Sequence, residues 1–344
     1  MATLYLIEQN TILRKTSERL LLCRKPAASK KSSGYTQNDI LLELPCSDVE
    51  QVMLFGNVQV TTQALQHLLR HSIELAIFTR NGKLLGQLTP PASKNIHLRI
   101  AQYEKLKDHG FRLQFARTIV TAKLNNALTL LKNHAWNHPG LFETEEFKAI
   151  TERIQAIEQA TSMETIRGCE GAGAAVYFKL FSRMFIKPWH FTKRTRRPPK
   201  DPVNAVLSYG YTIVGAELQS ILDGIGFDPF LGFYHSIHYG RPALALDLLE
   251  EYRQPLIDRL VLNLFNLQKL QDGDFLKTEK DGIYLNASGK RKFFTEYEKM
   301  LGNYLSQLEH AESTKSFRTF FQIQARTLAK AVKGECDYRP FNAS

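Results

Sequence analysis

Residues 73–95 read IELAIFTRNGKLLGQLTPPASKN, and the chain changes its structural period within them. Glu74 to Phe78 and Leu84 to Leu88 are short apolar runs on either side of Asn81-Gly82, the dipeptide of a two-residue hairpin turn with positive φ at both central positions. TPPASKN (89–95) then breaks the pattern, because two prolines and small polar residues make a linker. Upstream, Leu4 to Ile7, Leu20 to Cys23 and Gln51 to Phe55 share the short β-like grain. Thr61 to Arg70 reads as one amphipathic helix among them, capped by Thr61 or Thr62, with Leu65, Leu68 and Leu69 on one face. Downstream, helical spacing dominates near 97–134, 143–161, 164–186, 203–224, 242–270, 291–310 and 314–333. The expected fold class is α+β: a mostly β, sandwich-like domain at 1–88, a linker at 89–96, and a larger all-α domain at 97–344. There is no internal repeat and no low-complexity tail.

The charge balance narrows the partner. With 45 Lys+Arg against 34 Asp+Glu in 344 residues, the formal net charge is +11. That suits a polyanion, nucleic acid before a membrane surface, since no apolar span and no amphipathic basic anchor is visible. A basic but indifferent surface is the plainer alternative. Cys23, Cys46, Cys169 and Cys336 lie far apart with no CxxC pairing, so their spacing signals neither a zinc cage nor a disulfide framework. The N-terminal MATLYLIEQN lacks the pattern of a secretory signal, and a reducing cytoplasm is the expected location.

Chemistry concentrates in three runs. In GCEGAGAAVYF (168–178), Glu170 sits among Gly168, Gly171 and Gly173, which cost a helix about 1 kcal/mol each relative to alanine unless another backbone packs close. A buried acid there needs a partner; a plain tight helix crossing with Glu170 at its rim is the alternative. In RPALALDLLEEYR (241–253), Pro242 fits a first helical turn, and Asp247 and Glu250 at i, i+3 share a face. Glu251 either joins that face or turns to solvent. Alone, such a pair reads first as a solvated acidic face matched to Arg241 or Arg253. His235 precedes that helix by a short turn, so its ring can lie over the first turns; His238 is read as a packing or phosphate contact. One imidazole with two or three carboxylates, if they converge, suits Mg2+ or Mn2+ better than a structural zinc.

The third run, KPWHFTKRTRRPPKDPVN (187–204), crowds Lys193, Arg194, Arg196, Arg197 and Lys200 into a loop that Pro198-Pro199 keeps from helix, before Asp201-Pro202 starts the next one. It can lie along phosphates, with Trp189, His190 and Phe191 as base-stacking faces, or be a solvated loop with no partner.

These runs, together with RRPPKDPVNAVLSYGYT (196–212), DPFLGFYHSIHYGRPALALDLLEEYRQPLIDRLVLNLFN (228–266), QARTLAK (324–330) and, in the β domain, LPCSDVEQVMLFGNVQVTTQALQHLL (44–69), carry a resemblance. The chain is similar across nearly its whole length to the CRISPR-associated spacer-acquisition endonuclease/integrase family, the Cas protein numbered one. The resemblance implies a divalent metal held by Glu170, His235 and Glu250, with Asp247 as an accessory catalytic residue. It implies joining of DNA 3′-hydroxyl ends into a CRISPR repeat array, with water giving cleavage instead. It also implies a homodimer through the β domain, and a larger complex with a small ferredoxin-like CRISPR-associated partner. On that footing Lys193, Arg194, Arg196, Arg197, Lys200, Arg241 and Arg253 would hold the DNA backbone. Gly173 departs from the alanine usual in the family. Two other classes stay open: a different metal-dependent nuclease, as in DNA repair, which cleaves without joining, and a non-catalytic DNA-binding scaffold in which the acids are structural.

Overall fold

The computed structural model describes residues 2–25, 39–88, 95–187, 189–278, 281–302 and 316–343. It divides into two compact units, Met1–Ala92 and Ser93–Ser344. Residues 89–94 of the expected linker lie outside the described residues, as do 303–310 and 314–315 of the last two expected helical segments.

The first unit is two four-stranded sheets. In one, β1 (Ala2–Leu6), β5 (Val49–Phe55) and β7 (Glu74–Phe78) run parallel, and β8 (Leu84–Leu88) closes the edge antiparallel to β7. The other runs β4 (Ile40–Pro45), β3 (Arg19–Arg24), β2 (Thr11–Thr16), β6 (Val58–Val60), antiparallel except where β6 joins β2. Parallel neighbours need a crossover, and α1 (Thr62–Arg70) supplies it between β6 and β7. Thr61 caps α1 as expected, its hydroxyl accepting from Ala64 N at 3.3 Å. Leu6, Val52, Leu54 and Leu75 of the first sheet meet Leu13, Leu20 and Leu22 of the second in one core, which Ala64 and Leu68 of α1 complete. β2, β4 and β6 escape a search for apolar runs because they are short or carry charges, Arg14 and Lys15 in β2 and Glu43 in β4, on their more exposed positions.

The Asn81-Gly82 hairpin is present, but its turn is not the expected two-residue one. Only Gly82 has positive φ (88°); Gly82 N donates to Thr79 O and Thr79 N to Lys83 O, so the loop runs from Thr79 to Lys83. A left-handed glycine after a right-handed turn reverses the chain without forcing Asn81 into that region.

The second unit is built on α2 (Ile96–Lys107), α3 (His109–Asn137), α4 (Thr144–Glu158), α5 (Met163–Arg183), α6 (Pro202–Ile225), α7 (Ala243–Leu249), α8 (Arg259–Asn266), α9 (Ala287–Gly302) and α10 (Phe317–Val332). The expected helix at 97–134 is two, because the Asp108 side chain accepts from Phe111 N at 2.9 Å and caps a new start. The one expected at 242–270 is also broken: α7 ends at Leu249, and a π-turn over Arg253–Asp258 leads into α8. Pro255 has no N–H for an ordinary helical ladder, and the wider turn absorbs it. The unit is not all-α either, since β9 (Phe275–Lys277) and β10 (Ile283–Leu285) pair as a small antiparallel hairpin. Among the described residues no helix is long and apolar enough to cross a membrane.

Candidate active site

α5 starts at Ser162, whose hydroxyl accepts from Thr165 N at 3.2 Å, and carries Glu170 two turns in. α3 packs beside it and carries Lys123 on a stripe with Ile119, Val120, Ala127 and Leu131 that is otherwise apolar. The glycines of α5 do not all serve one purpose. A Cβ at Gly173 would lie 3.0 Å from Leu124 of α3, whereas Gly168 and Gly171 face open space, so close packing accounts for Gly173 alone.

The chain leaves α6 at Gly226, in the left-handed region at φ 112°, and winds back over α7. Gly232 lets it lie down there: a Cβ would meet both Ala243 and Asp247 Oδ2 at 2.8 Å. Asp247 is fully buried and anchors this loop by accepting from three backbone amides, Phe233 N at 2.7 Å, Tyr234 N at 3.1 Å and His235 N at 2.8 Å. Its Oδ1 also lies 2.7 Å from His235 Nδ1. A carboxylate acceptor there makes Nδ1 the donor, which leaves Nε2 as the basic nitrogen, and Nε2 points to Glu250 Oε1 at 3.7 Å.

Glu250 follows α7 directly and is 2 % exposed. Its Oε2 is 2.8 Å from Lys123 Nζ and 2.7 Å from Arg253 Nε. Glu170 holds the same Lys123 ammonium through Oε1 and accepts from the Tyr234 hydroxyl through Oε2. Burial works against the Lys123 charge, but Glu250 and Glu170 outweigh it and hold the ammonium above the ordinary lysine range. For Glu250 burial pushes upward too, and Arg253, Lys123 and His235 overcome it, leaving the carboxyl far below its usual range. The Tyr234 hydroxyl is pushed well up by burial beside Glu170.

Thus Glu170, His235, Asp247 and Glu250 do come together, from α5, one loop and α7. Two residues that sequence reasoning missed complete the cluster: Lys123 and Tyr234. The available signal was a lysine inside the apolar helical run IVTAKLNNAL (119–128). Glu251 neither joins the acidic face nor turns to solvent. It points the other way, accepting from the Tyr338 hydroxyl and from Phe341 N at 2.6 Å, and burial raises its carboxyl to about 8. Asn126 of α3 ties the same tail down, bonding Glu251 O at 2.9 Å, Phe341 O at 3.1 Å and Ala343 N at 2.7 Å.

The basic residues divide. Arg194, Arg196 and Arg253 join Lys123, Tyr177 and Tyr211 around a cavity of about 40 Å³ beside Glu250. Arg253 lies over the Tyr211 ring at 4.4 Å, and Arg194 bonds Asn204 and stacks at 5.4 Å on Tyr211. Beneath them Asp258 accepts from the Tyr177 hydroxyl at 2.6 Å and from Tyr211, and burial lifts its carboxyl to about 6. Lys193, Arg197 and Lys200 are exposed on the loop outside, and Arg241 stands partly exposed at the entry to α7. The stacking expectation fails for Phe191, which is buried among Phe178, Phe181 and Phe185, where apolar burial wins over display. Trp189 packs on Phe265 at 4.8 Å and is half-buried, and His190 is exposed.

The family model for CRISPR associated protein Cas1 matches residues 4–299, most of the chain. The chain belongs to the Cas1 family. A relative described as a CRISPR-associated endonuclease Cas1, from Thermus thermophilus, is 31% identical over 99% of this chain and 97% of its own length. Two solved structures share the fold. One, a casposase bound to integration product, superposes with a TM-score of 0.84 at 23% identity, covering 99% of this chain and 93% of the other. The second is a Cas6-RT-Cas1–Cas2 complex, with a TM-score of 0.79 at 25% identity over 100% of this chain and 36% of the other. The β-rich unit followed by the larger helical one is the fold that this chain shares with those structures.

Proposed function

We propose that this Cas1-family chain is a metal-dependent DNA endonuclease and integrase of CRISPR adaptation, joining protospacer 3′-hydroxyl ends into the repeat array by phosphodiester exchange. The observation that carries the reading is Lys123: one buried ammonium shared by the carboxylates of Glu170 and Glu250, with His235 Nε2 lying 3.7 Å from the other Glu250 oxygen. A donor set of two carboxylate oxygens and one imidazole around a cation matches what Mg2+ or Mn2+ accepts, so Glu170, His235 and Glu250 fit the group. Held there, a divalent ion would lower the pKa of a DNA 3′-hydroxyl and stabilise charge on the attacked phosphate.

The remaining roles belong to the chain itself. Asp247 positions His235 and fixes its tautomer. Arg253 clamps Glu250 in its charged form, as Lys123 does from the other side. Arg196 and Arg194 line the cavity next to the acids, where a phosphate oxygen would be balanced by positive charge. Lys193, Arg197, Lys200 and Arg241 would follow the DNA backbone further out. Self-association through the β unit is supported by its apolar β8 edge, where Leu85 is 64 % exposed, and by Leu41 and Leu42 on the β4 edge. The likeness to the Cas1 part of a Cas1–Cas2 assembly supports a larger complex with a small ferredoxin-like adaptation partner and DNA.

The decisive experiment supplies a short duplex with 3′-hydroxyls, a supercoiled plasmid bearing a leader and repeat, the small partner, and Mg2+ or Mn2+. Joined product is expected from the wild type, and none from folded Glu170→Ala, His235→Ala or Glu250→Ala protein. Cleavage without joining would return the site to a repair-type nuclease; joining by the three variants would remove it from the chemistry.

A further inference from the structure

A second set of donors lies in the β unit, apart from the acids discussed above. Glu18 sits in the β2–β3 turn, where Ser17 has φ 50°; Cys46 follows β4; His67 is on α1. The Glu18 carboxylate, Cys46 Sγ and a His67 ring nitrogen all lie within 4.8 Å of one another, and they are the group of three such donors found among the described residues. Their convergence is built by the fold: Cys46 N donates to Glu18 O at 2.9 Å, and α1 packs against β2. Two of the three are interior. Cys46 is 4 % and His67 9 % exposed, and among the described residues neither the thiol nor the imidazole has a hydrogen-bond partner. With no hydrogen bond from the described residues to either ring nitrogen, the imidazole is free to bind a ligand on the side that faces Cys46 and Glu18. His71, one turn along α1, stacks on His67 with centroids 4.3 Å apart and steadies that ring from the side.

We propose that Glu18, Cys46 and His67 bind a zinc-class divalent ion that staples the β2–β3 turn, the end of β4 and α1 together. One thiolate, one imidazole and one carboxylate form a donor set that selects Zn2+ over Mg2+ or Mn2+, the reverse of the oxygen-rich set on α5 and α7. A neutral imidazole donates through its ring lone pair, and binding would break the Cys46 S–H bond, form an S–Zn bond and release the proton to buffer. Lys15 is the local competitor: its ammonium lies 3.2 Å from Glu18 Oε1 and must swing away. The spacing of four scattered cysteines gave no sign of this, because only one of them takes part.

The test uses the full chain, reduced and stripped with a chelator, titrated with Co2+ and then Zn2+. One Co2+ per chain is expected, with a thiolate-to-cobalt charge-transfer band that Zn2+ displaces and excess Mg2+ does not. The band should vanish in Cys46→Ser, weaken in affinity by at least about 10-fold in His67→Gln, and persist in Glu170→Ala and in Cys336→Ser. Zn2+ should raise the melting temperature of the wild type and not that of His67→Gln, which keeps the test open if Cys46→Ser folds badly. Absence of a thiolate band in the wild type, or a band unchanged in both Cys46→Ser and His67→Gln, overturns the site.

Discussion

Glu250 and Glu251 are neighbours in sequence, equally buried, and opposite in character. Glu250 faces Lys123, Arg253 and His235 and is held charged far below the ordinary range. Glu251 faces a tyrosine hydroxyl and a backbone amide, and burial lifts it to about 8. Desolvation acts on both; cationic neighbours decide which carboxyl keeps its charge. The side of the chain toward α5 is thereby an electrostatic site, and the side toward the C-terminal tail is a structural one.

The strongest way to break this contrast is Glu250→Ala. It strands Lys123 and Arg253 without their shared acid, so joining should fall by at least about 10²-fold, and the fold should lose about 3–5 kcal/mol in denaturant titration. Adding Lys123→Met should return part of that loss, with a coupling of about 1–3 kcal/mol in a double-mutant cycle. Next comes Asp247→Ala, which leaves three buried amides without an acceptor. About 3 kcal/mol of stability should go, and the His235 ring should lose its fixed tautomer in NMR spectra of the imidazole nitrogens.

The Glu251 side is probed by pH. Unfolded, this carboxyl titrates near 4.5, and folded at about 8, so the folded chain holds an extra proton between them. Its stabilisation is complete below about 4.5 and is lost as pH rises through about 8, roughly 2–3 kcal/mol of it between about pH 6 and pH 8. Melting curves of Glu251→Gln should lack this slope, because the amide mimics the neutral acid; an unchanged slope would place the titration elsewhere. The smallest effect is expected from Gly173→Ala. Better helix propensity opposes a contact with Leu124 at 3.0 Å, so the net change should stay within about 1 kcal/mol of zero in the same melts.

How much of this was legible in the sequence follows the range of the forces. The cap at Thr61, the start at Asp201-Pro202 and the i, i+3 placement of Asp247 and Glu250 are local, and all are where the residues put them. The break at Asp108 was also local but was masked by the helical grain on both sides. Lys123 was not legible: its partners lie 47 and 127 positions away, and a lysine in an apolar stripe says only that some acid must come. The fates of Phe191 and Glu251 depended in the same way on elements no window contains, the aromatic cluster of α5 and the tail at 338–343.

That tail has a mechanical consequence. Tyr338 and Phe341 seal Glu251, Asn126 grips the tail and the Glu251 backbone at once, and Asn126 lies one helical turn from Lys123 on α3. The 338–343 segment therefore acts as a buttress behind the charged cluster, bracing α3 against the α7 end from the side of Glu251. A proteolytic clip ahead of Tyr338 would remove that brace while leaving every charged group in the chain, and its damage would register first as looseness in where those charges stand.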